Sequence, residues 1–379
     1  MKGTLRFLVI CLLLSPILVD AQENRDSIVV EFGLALQDSI DQGNYGYLNE
    51  VFDSQYFKDK FIYEDSSNVT LGEYNSGVES GITKVIETIV KRMIDNGFSY
   101  NLINYYEASD SIYYLTFRMY GEQGFNYHEF EVIFDEEGVP WIGDIFVYLS
   151  GEFLSETLKS IYSAGLSEIL DEEGFSTFSG QMKYVLLLVE IKKLIAEGKR
   201  EAAQMIYEGI PEEIRMEHVF LLYGIQIYDP IDDQKKYEEL VSIYSAQYPS
   251  NACVYLLGID LYASKGEYEK SIEMVDSLIS ITGDDLLPYV KGKIYHEMED
   301  YINAENMYEY IAENFPYFED NWFQLLALDI ETKKHDQSIR CLDRLIEDCG
   351  YEKEGIVDFI ITEYTGFAEE EVFKAWSTQ

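Results

Sequence analysis

Apolar residues keep helical spacing at the start of this chain, cluster into aromatic-rich segments through its second quarter, and return to helical spacing for the rest. Ile28, Phe32, Ala35, Leu36 and Ile40 lie near a three-to-four spacing, which predicts an amphipathic helix over Ser27–Ile40, closed by Asp41-Gln42-Gly43. Tyr47–Phe57 is apolar and aromatic. Ile82, Val85, Ile86, Ile89, Val90 and Met93 predict another helix over Val78–Ile94, stopped by Asn96-Gly97. Strands are expected next, at Phe98–Glu107, Ser111–Tyr120, Tyr127–Phe134 and Val139–Leu149, all rich in Tyr, Phe, Ile and Val. Turn residues separate them. Tyr113, Leu115, Phe117 and Met119 share one face of the second strand, with Thr116 and Arg118 on the other. Helices followed by a meander predict an α+β domain over 22–150 with a four-stranded antiparallel sheet.

That order of elements resembles the cone-shaped folds of the nuclear transport factor 2 or cystatin-like type, a likeness of architecture across the domain. Such folds can hold an inward histidine or carboxylate as a general base in an apolar pocket. His128, on a face with Phe130, Val132 and Phe134, and Asp144, expected on a face with Ile142, Phe146 and Tyr148, are the residues to which this would apply. A hydrogen-bonded strand residue or an outward charge is the other reading of each.

The second half carries a period. Ala203, Tyr237, Ser271, Ala304 and Ser338 are spaced 34, 34, 33 and 34 residues apart. Each stands in the same context: an apolar helix, a polar break and a second apolar helix. A fixed period of this length predicts stacked helical hairpins. Lys291-Gly292-Lys293-Ile294-Tyr295 twelve residues before Ala304, Trp322-Phe323-Gln324-Leu325, and Tyr255-Leu256-Leu257-Gly258 with Tyr262 carry the pattern, and Pro211, Pro249 and Pro316 fall at unit ends. These residues resemble the tetratricopeptide family. About five such units are expected over 181–350, as an all-α helical-hairpin solenoid, with a helical linker over 151–180 before them and capping helices over 351–379 after them. Small residues at Gly292, Ala304 and Ser338 are expected to let helices approach, with Tyr268 and Tyr301 filling the space beside them. Leu188, Leu222, Leu256, Tyr289 and Phe323 recur at one early position of each first helix. In the resembled family that position faces a groove, which makes these five the candidate partner-binding residues. Ordinary packing between helices is the alternative for all of them.

Composition narrows the function. Hydrophobic residues form 47% of the 379, so the chain can build a core. Its formal charge of −42 repels phosphate backbones and anionic lipid surfaces, which argues against nucleic-acid and membrane partners. Lys2 and Arg6, the apolar run Phe7–Leu14 and Val19-Asp20-Ala21 resemble a secretory leader over 1–21, with an uncleaved anchor as the other reading. Once Cys11 leaves with that leader, Cys253, Cys341 and Cys349 remain, an odd number that implies no complete disulfide framework. The four histidines sit in no zinc motif, no nucleophile elbow or phosphate loop occurs, and acidic clusters such as Asp171-Glu172-Glu173 lack calcium-loop spacing.

The reading is therefore an exported, periplasmic or secreted protein, not an enzyme and without a cofactor, that binds a protein or peptide segment. The rival is a small-molecule-binding or enzymatic cone domain with the repeats as a docking arm. His128 and Asp144 within hydrogen-bond reach in a closed pocket would favour the rival. The mature chain is expected to begin at Gln22, and mass spectrometry of the N-terminal peptide of the exported protein checks this, since a peptide retaining Met1 would refute it.

Overall fold

The computed structural model describes residues 25–62, 72, 75–77, 91, 98–108, 112–121, 124–159, 162, 179–228, 233–249 and 251–378. The expected leader, the helix expected over Val78–Ile94, and most of the linker with its Asp171-Glu172-Glu173 cluster lie outside these residues. The chain divides into two compact units, Met1–Leu256 and Leu257–Gln379, with the boundary inside the helix Cys253–Ser264.

In the first unit a helix over residues 25–41 and two short helices, Tyr45–Glu50 and Ser54–Asp59, precede the sheet. The strands are β1 (Ser99–Glu107), β2 (Tyr113–Gly121), β3 (Gly124–Phe134), β4 (Pro140–Val147) and β5 (Glu152–Phe153), in the order β1-β2-β3-β4-β5 and antiparallel throughout. The sheet thus has five strands, where four were expected. The fifth comes from a segment expected to be helical: Phe153 folds back to pair with Phe146, their rings 5.2 Å apart edge to face, and a helix over 154–159 starts after it. Val29, Phe32, Leu36 and Ile40 of the first helix share one buried cluster with Tyr100, Leu115, Phe117, Phe130, Val132 and Ile145. Where the β1–β2 register slips between Leu102 and Asn104, the Leu102 N–H donates instead to Gln37 Oε1 of the first helix at 2.7 Å.

The same unit contains helices Ser179–Ala196, Arg200–Glu208, His218–Ile227 and Gln234–Gln247. Polar contacts fasten the far end of the sheet to the helix His218–Ile227 and to the segment that follows Gln234–Gln247. Asn251 Nδ2 donates to the Gly151 carbonyl at 2.6 Å, the Cys253 thiol donates to the Leu149 carbonyl at 3.4 Å, and His218 Nδ1 lies 3.6 Å from Glu152. The second unit continues with Tyr268–Thr282, Pro288–Glu297, Tyr301–Asn314, Glu319–Glu331 and His335–Glu347, and ends in Lys353–Glu363, Thr365–Ala368 and Glu371–Ser377.

One turn recurs through these helices. Gly198, Gly266, Glu299 and Lys333 all adopt left-handed φ, at 72°, 69°, 59° and 60°. After each, the next N–H reaches back five residues: Lys199 to the Leu194 carbonyl, Glu267 to Tyr262, Asp300 to Tyr295 and Lys334 to Asp329, at 2.7–2.9 Å. This closes the first helix of a hairpin and aims the second. The steps are 68, 33 and 34 residues, so the period seen in the sequence is the period of a backbone turn. Four residues after each of those N–H groups stand Ala203, Ser271, Ala304 and Ser338, every one fully buried.

Small residues are required there and opposite. A Cβ on Gly292 would lie 2.6 Å from the Tyr308 ring, and one on Gly224 would lie 2.3 Å from the Tyr207 hydroxyl. Beside Gly292 that space is filled by Tyr308, where Tyr301 was expected, and beside Gly224 by Tyr207. Tyr301 instead lies half-exposed and donates to Glu331 Oε1 at 2.6 Å. Ala304→Trp is expected to overpack this contact and destabilise the chain by about 1–3 kcal/mol. Ile302→Trp, two residues away on the same helix at 75% exposure, is expected to change stability by under about 0.5 kcal/mol. Denaturant melts of the two variants check the register.

Candidate functional site

β4 carries the feature that organises the first unit's polar groups. Its pairing with β3 runs Ile142 to Val132 but Asp144 to Glu131, so Gly143 is an extra residue. A Cβ there would meet the Tyr56 ring at 2.8 Å and Glu131 Oε1 at 2.9 Å. At the bulge Ile142 pairs outward with the segment before Ser54: Asp53 N–H donates to the Ile142 carbonyl and Ile142 N–H to the Val51 carbonyl, both at 2.8 Å. The extra residue breaks the two-residue alternation. Ile142 and Ile145 both enter the apolar cluster, while Asp144 turns to the opposite face beside Glu131.

Asp144 therefore does not share a face with Ile142. His128 and Asp144, the two candidates for acid–base work, lie on opposite faces of the sheet. His128 pairs with Val147 on the apolar side, is buried, and has Tyr100 Oη 3.2 Å from its Nδ1. Burial lowers its pKa to about 4, so the ring is neutral near pH 7. Burial likewise holds the Tyr100 hydroxyl well above the usual phenol range.

The other face gathers carboxylates. Lys60 Nζ lies 2.9 Å from Glu131 Oε1 and 3.0 Å from Asp144 Oδ2, over the Tyr56 ring at 4.9 Å and the Phe153 ring at 5.6 Å. Asp144 is fully buried. Its Oδ1 accepts from the backbone N–H groups of Ile145 at 2.9 Å and Ser155 at 3.2 Å, and its Oδ2 accepts from Ser155 Oγ at 2.5 Å. One strand position away, Glu129 accepts from Tyr148 Oη at 2.7 Å, Tyr106 Oη at 3.2 Å and Thr116 Oγ1 at 3.5 Å. Burial raises its carboxyl above the ordinary glutamate range. The alternation Glu129-x-Glu131 was visible in the sequence. Nothing there showed that Lys60, about seventy residues earlier, would lie against it.

Two hollows accompany these groups among the described residues. A cavity of about 200 Å³ in the first unit is lined by Asn126, Val147, Lys192, Tyr223 and Gln226, and neither His128 nor Asp144 reaches it. An open groove of about 700 Å³ in the second unit lies beside Lys333, Lys334, His335, Glu370 and Glu371.

The five recurring hairpin residues are not equivalent. Leu188, Leu222 and Tyr289 are buried, at 7%, 4% and 5% exposure, while Leu256 and Phe323 are half-buried. Tyr289 packs edge to face on Phe318 at 4.9 Å, with Lys293 Nζ 5.8 Å from its ring centre. Phe323 packs against Tyr351 and Phe359 at 5.6 and 5.4 Å. In the same unit Asp329 is buried, with its Oδ1 bonded to no group and its Oδ2 3.7 Å from the Cys341 thiol. Cys253, Cys341 and Cys349 are all unpaired thiols.

No family model matches this chain, and no curated protein matches it. Among solved structures, a tetratricopeptide repeat protein from Parabacteroides merdae is similar at 12% identity and a TM-score of 0.42, over 57% of this chain and 84% of that one.

Burial raises the Asp329 carboxyl from 3.8 to about 6. The folded chain therefore holds this proton more tightly than the unfolded chain. Stability from this group is fully present below 3.8 and is lost as pH rises through about 6. Asp329→Asn keeps the shape and removes the charge. It is expected to raise Tm at pH 7.5 by roughly 2–4 °C and to flatten the pH dependence between 4 and 6. Paired thermal melts at pH 4, 6 and 7.5 test it.

Proposed function

We propose that this chain is an exported scaffold whose helical hairpins, stacked as a tetratricopeptide-like solenoid, bind a protein or peptide segment. The α+β domain, read as a cone of the nuclear transport factor 2 or cystatin-like type, serves as the platform on which the first hairpins are fastened. The observation that carries this reading is the recurring left-handed turn at Gly198, Gly266, Glu299 and Lys333, with a buried small residue five positions on from each. A hairpin of this kind buries its apolar face only against its neighbours, and a stack of them offers equivalent first-helix positions along a surface. In the second unit Phe323, half-buried, is the anchor such a segment would touch, beside the buried Tyr289; in the first unit the corresponding residues are Leu256, half-buried, and Leu188 and Leu222, buried. The charge of −42 favours a basic or neutral partner over nucleic acid. No helix among the described residues is long and apolar enough to cross a membrane. The resemblance of residues 1–21 to a secretory leader supports a location in the periplasm or outside the cell. The rival enzymatic reading needed His128 and Asp144 together, and they stand on opposite faces, so no catalytic role or cofactor is assigned.

Site-specific photo-cross-linking in the source cell tests this. A photoreactive residue at Phe323 is expected to capture one partner, identified by mass spectrometry. The same residue at Ile302, exposed on a second helix, is expected to capture none. Equal capture at both positions, or none at Phe323, would remove Phe323 as an anchor.

A further inference from the structure

Lys60, Glu131 and Asp144 form a site with more organisation than an ion pair requires. One ammonium faces two buried carboxylates, and aromatic rings flank it on two sides. The two oxygens of Asp144 are treated differently. Oδ1 sits between two backbone N–H donors, the arrangement that stabilises an oxyanion when a carbonyl carbon is attacked. Oδ2 touches the Ser155 hydroxyl and the lysine amine itself. Glu131 Oε1, 2.9 Å from Nζ, is placed to carry protons.

We propose that Lys60 and Asp144 condense to an intramolecular amide, an isopeptide cross-link that joins the end of the helix Ser54–Asp59 to β4. Glu131 takes a proton from Nζ and passes it to Asp144 Oδ2. The neutral amine attacks Cγ, and the C–N bond forms as the carbonyl electron pair moves onto Oδ1, held by the Ile145 and Ser155 N–H groups. A second proton leaves Nζ through Glu131, the Cγ–Oδ2 bond breaks, and Oδ2 departs as water. One ammonium and one carboxylate become one neutral amide and one water, and Glu131 returns to its starting state. No oxidant, metal or activated donor enters the balance. The fold supplies what free lysine and aspartate lack, which is proximity: fixed partners react as though at very high concentration. The product also removes two charges from a desolvated site, leaving an amide where a partly buried ion pair stood.

The test is peptide mapping of the full-length protein, denatured and digested with trypsin. The expected result is that Lys60 is not cut, and that the peptide containing it is joined to the peptide containing Asp144, with a combined mass lower by one water than the two separate strands of sequence. Lys60→Arg should restore two unlinked peptides. Glu131→Gln, which keeps the neighbour but not the proton carrier, should leave most of the chain unlinked. Ordinary cleavage after Lys60 in the wild-type chain, with an unmodified Asp144 peptide, would overturn the proposal. That readout comes from the natural sequence, so it does not depend on any variant folding.

Discussion

A tyrosine ring lying on a bare glycine sets the distance between helices in both units of this protein. Tyr207 on Gly224 and Tyr308 on Gly292 are contacts that even a methyl group would break. The ring supplies a large apolar area and the missing side chain supplies the room, so the helices meet closely without a cavity. The buried small residues follow from the same constraint. Ala203 and Ala304 add no bulk where backbones pass, and Ser271 turns its hydroxyl to the Ile259 carbonyl at 2.8 Å across the hairpin. The left-handed turns keep each pair of helices at the angle this packing needs. Two of those turns use Glu299 and Lys333 where glycine would be easier, a modest backbone strain held in place by the packing on either side.

The sheet depends on an opposite device, an extra residue instead of a missing side chain. Gly143 lets one strand send Ile142 and Ile145 to the same apolar cluster and still turn Asp144 to the polar face. That polar face holds Glu129, Glu131 and Asp144, in a chain with 70 acidic residues and only 28 lysines and arginines. Tyrosine hydroxyls answer Glu129, Lys60 and the Tyr114 hydroxyl answer Glu131, and Lys60, the Ser155 hydroxyl and backbone N–H groups answer Asp144. Many of the chain's 32 tyrosines thus do two jobs, filling space and donating a hydrogen bond to a carboxylate that has few cations to meet.

Much of the architecture was legible in residue order because it rests on local periodicity. The strands at Tyr113–Gly121 and Gly124–Phe134 were announced by their aromatic and apolar content between turn residues, and the faces of the first of them matched. The hairpin period was announced by Ala203, Ser271, Ala304 and Ser338, which are small and fully buried at four of the five repeat positions, while the fifth holds the large, buried Tyr237. Phe153 was misread because its pairing with Phe146 is a tertiary event two residues long, too short to leave a pattern.

The sequence by itself determined most of which described segments are helical and which extended, where the repeat falls, and that the chain is strongly acidic. These follow from spacing and composition, which act locally or add up over the chain. Only the tertiary structure decided which residues meet. A one-residue bulge moved Asp144 away from Ile142 and set it against Lys60, and burial separated Phe323 from Tyr289 although both hold the same repeat position. The physical reason is the same in each case. Periodicity tells which way a side chain leaves its own backbone, but what lies there is supplied by a segment that local spacing does not see.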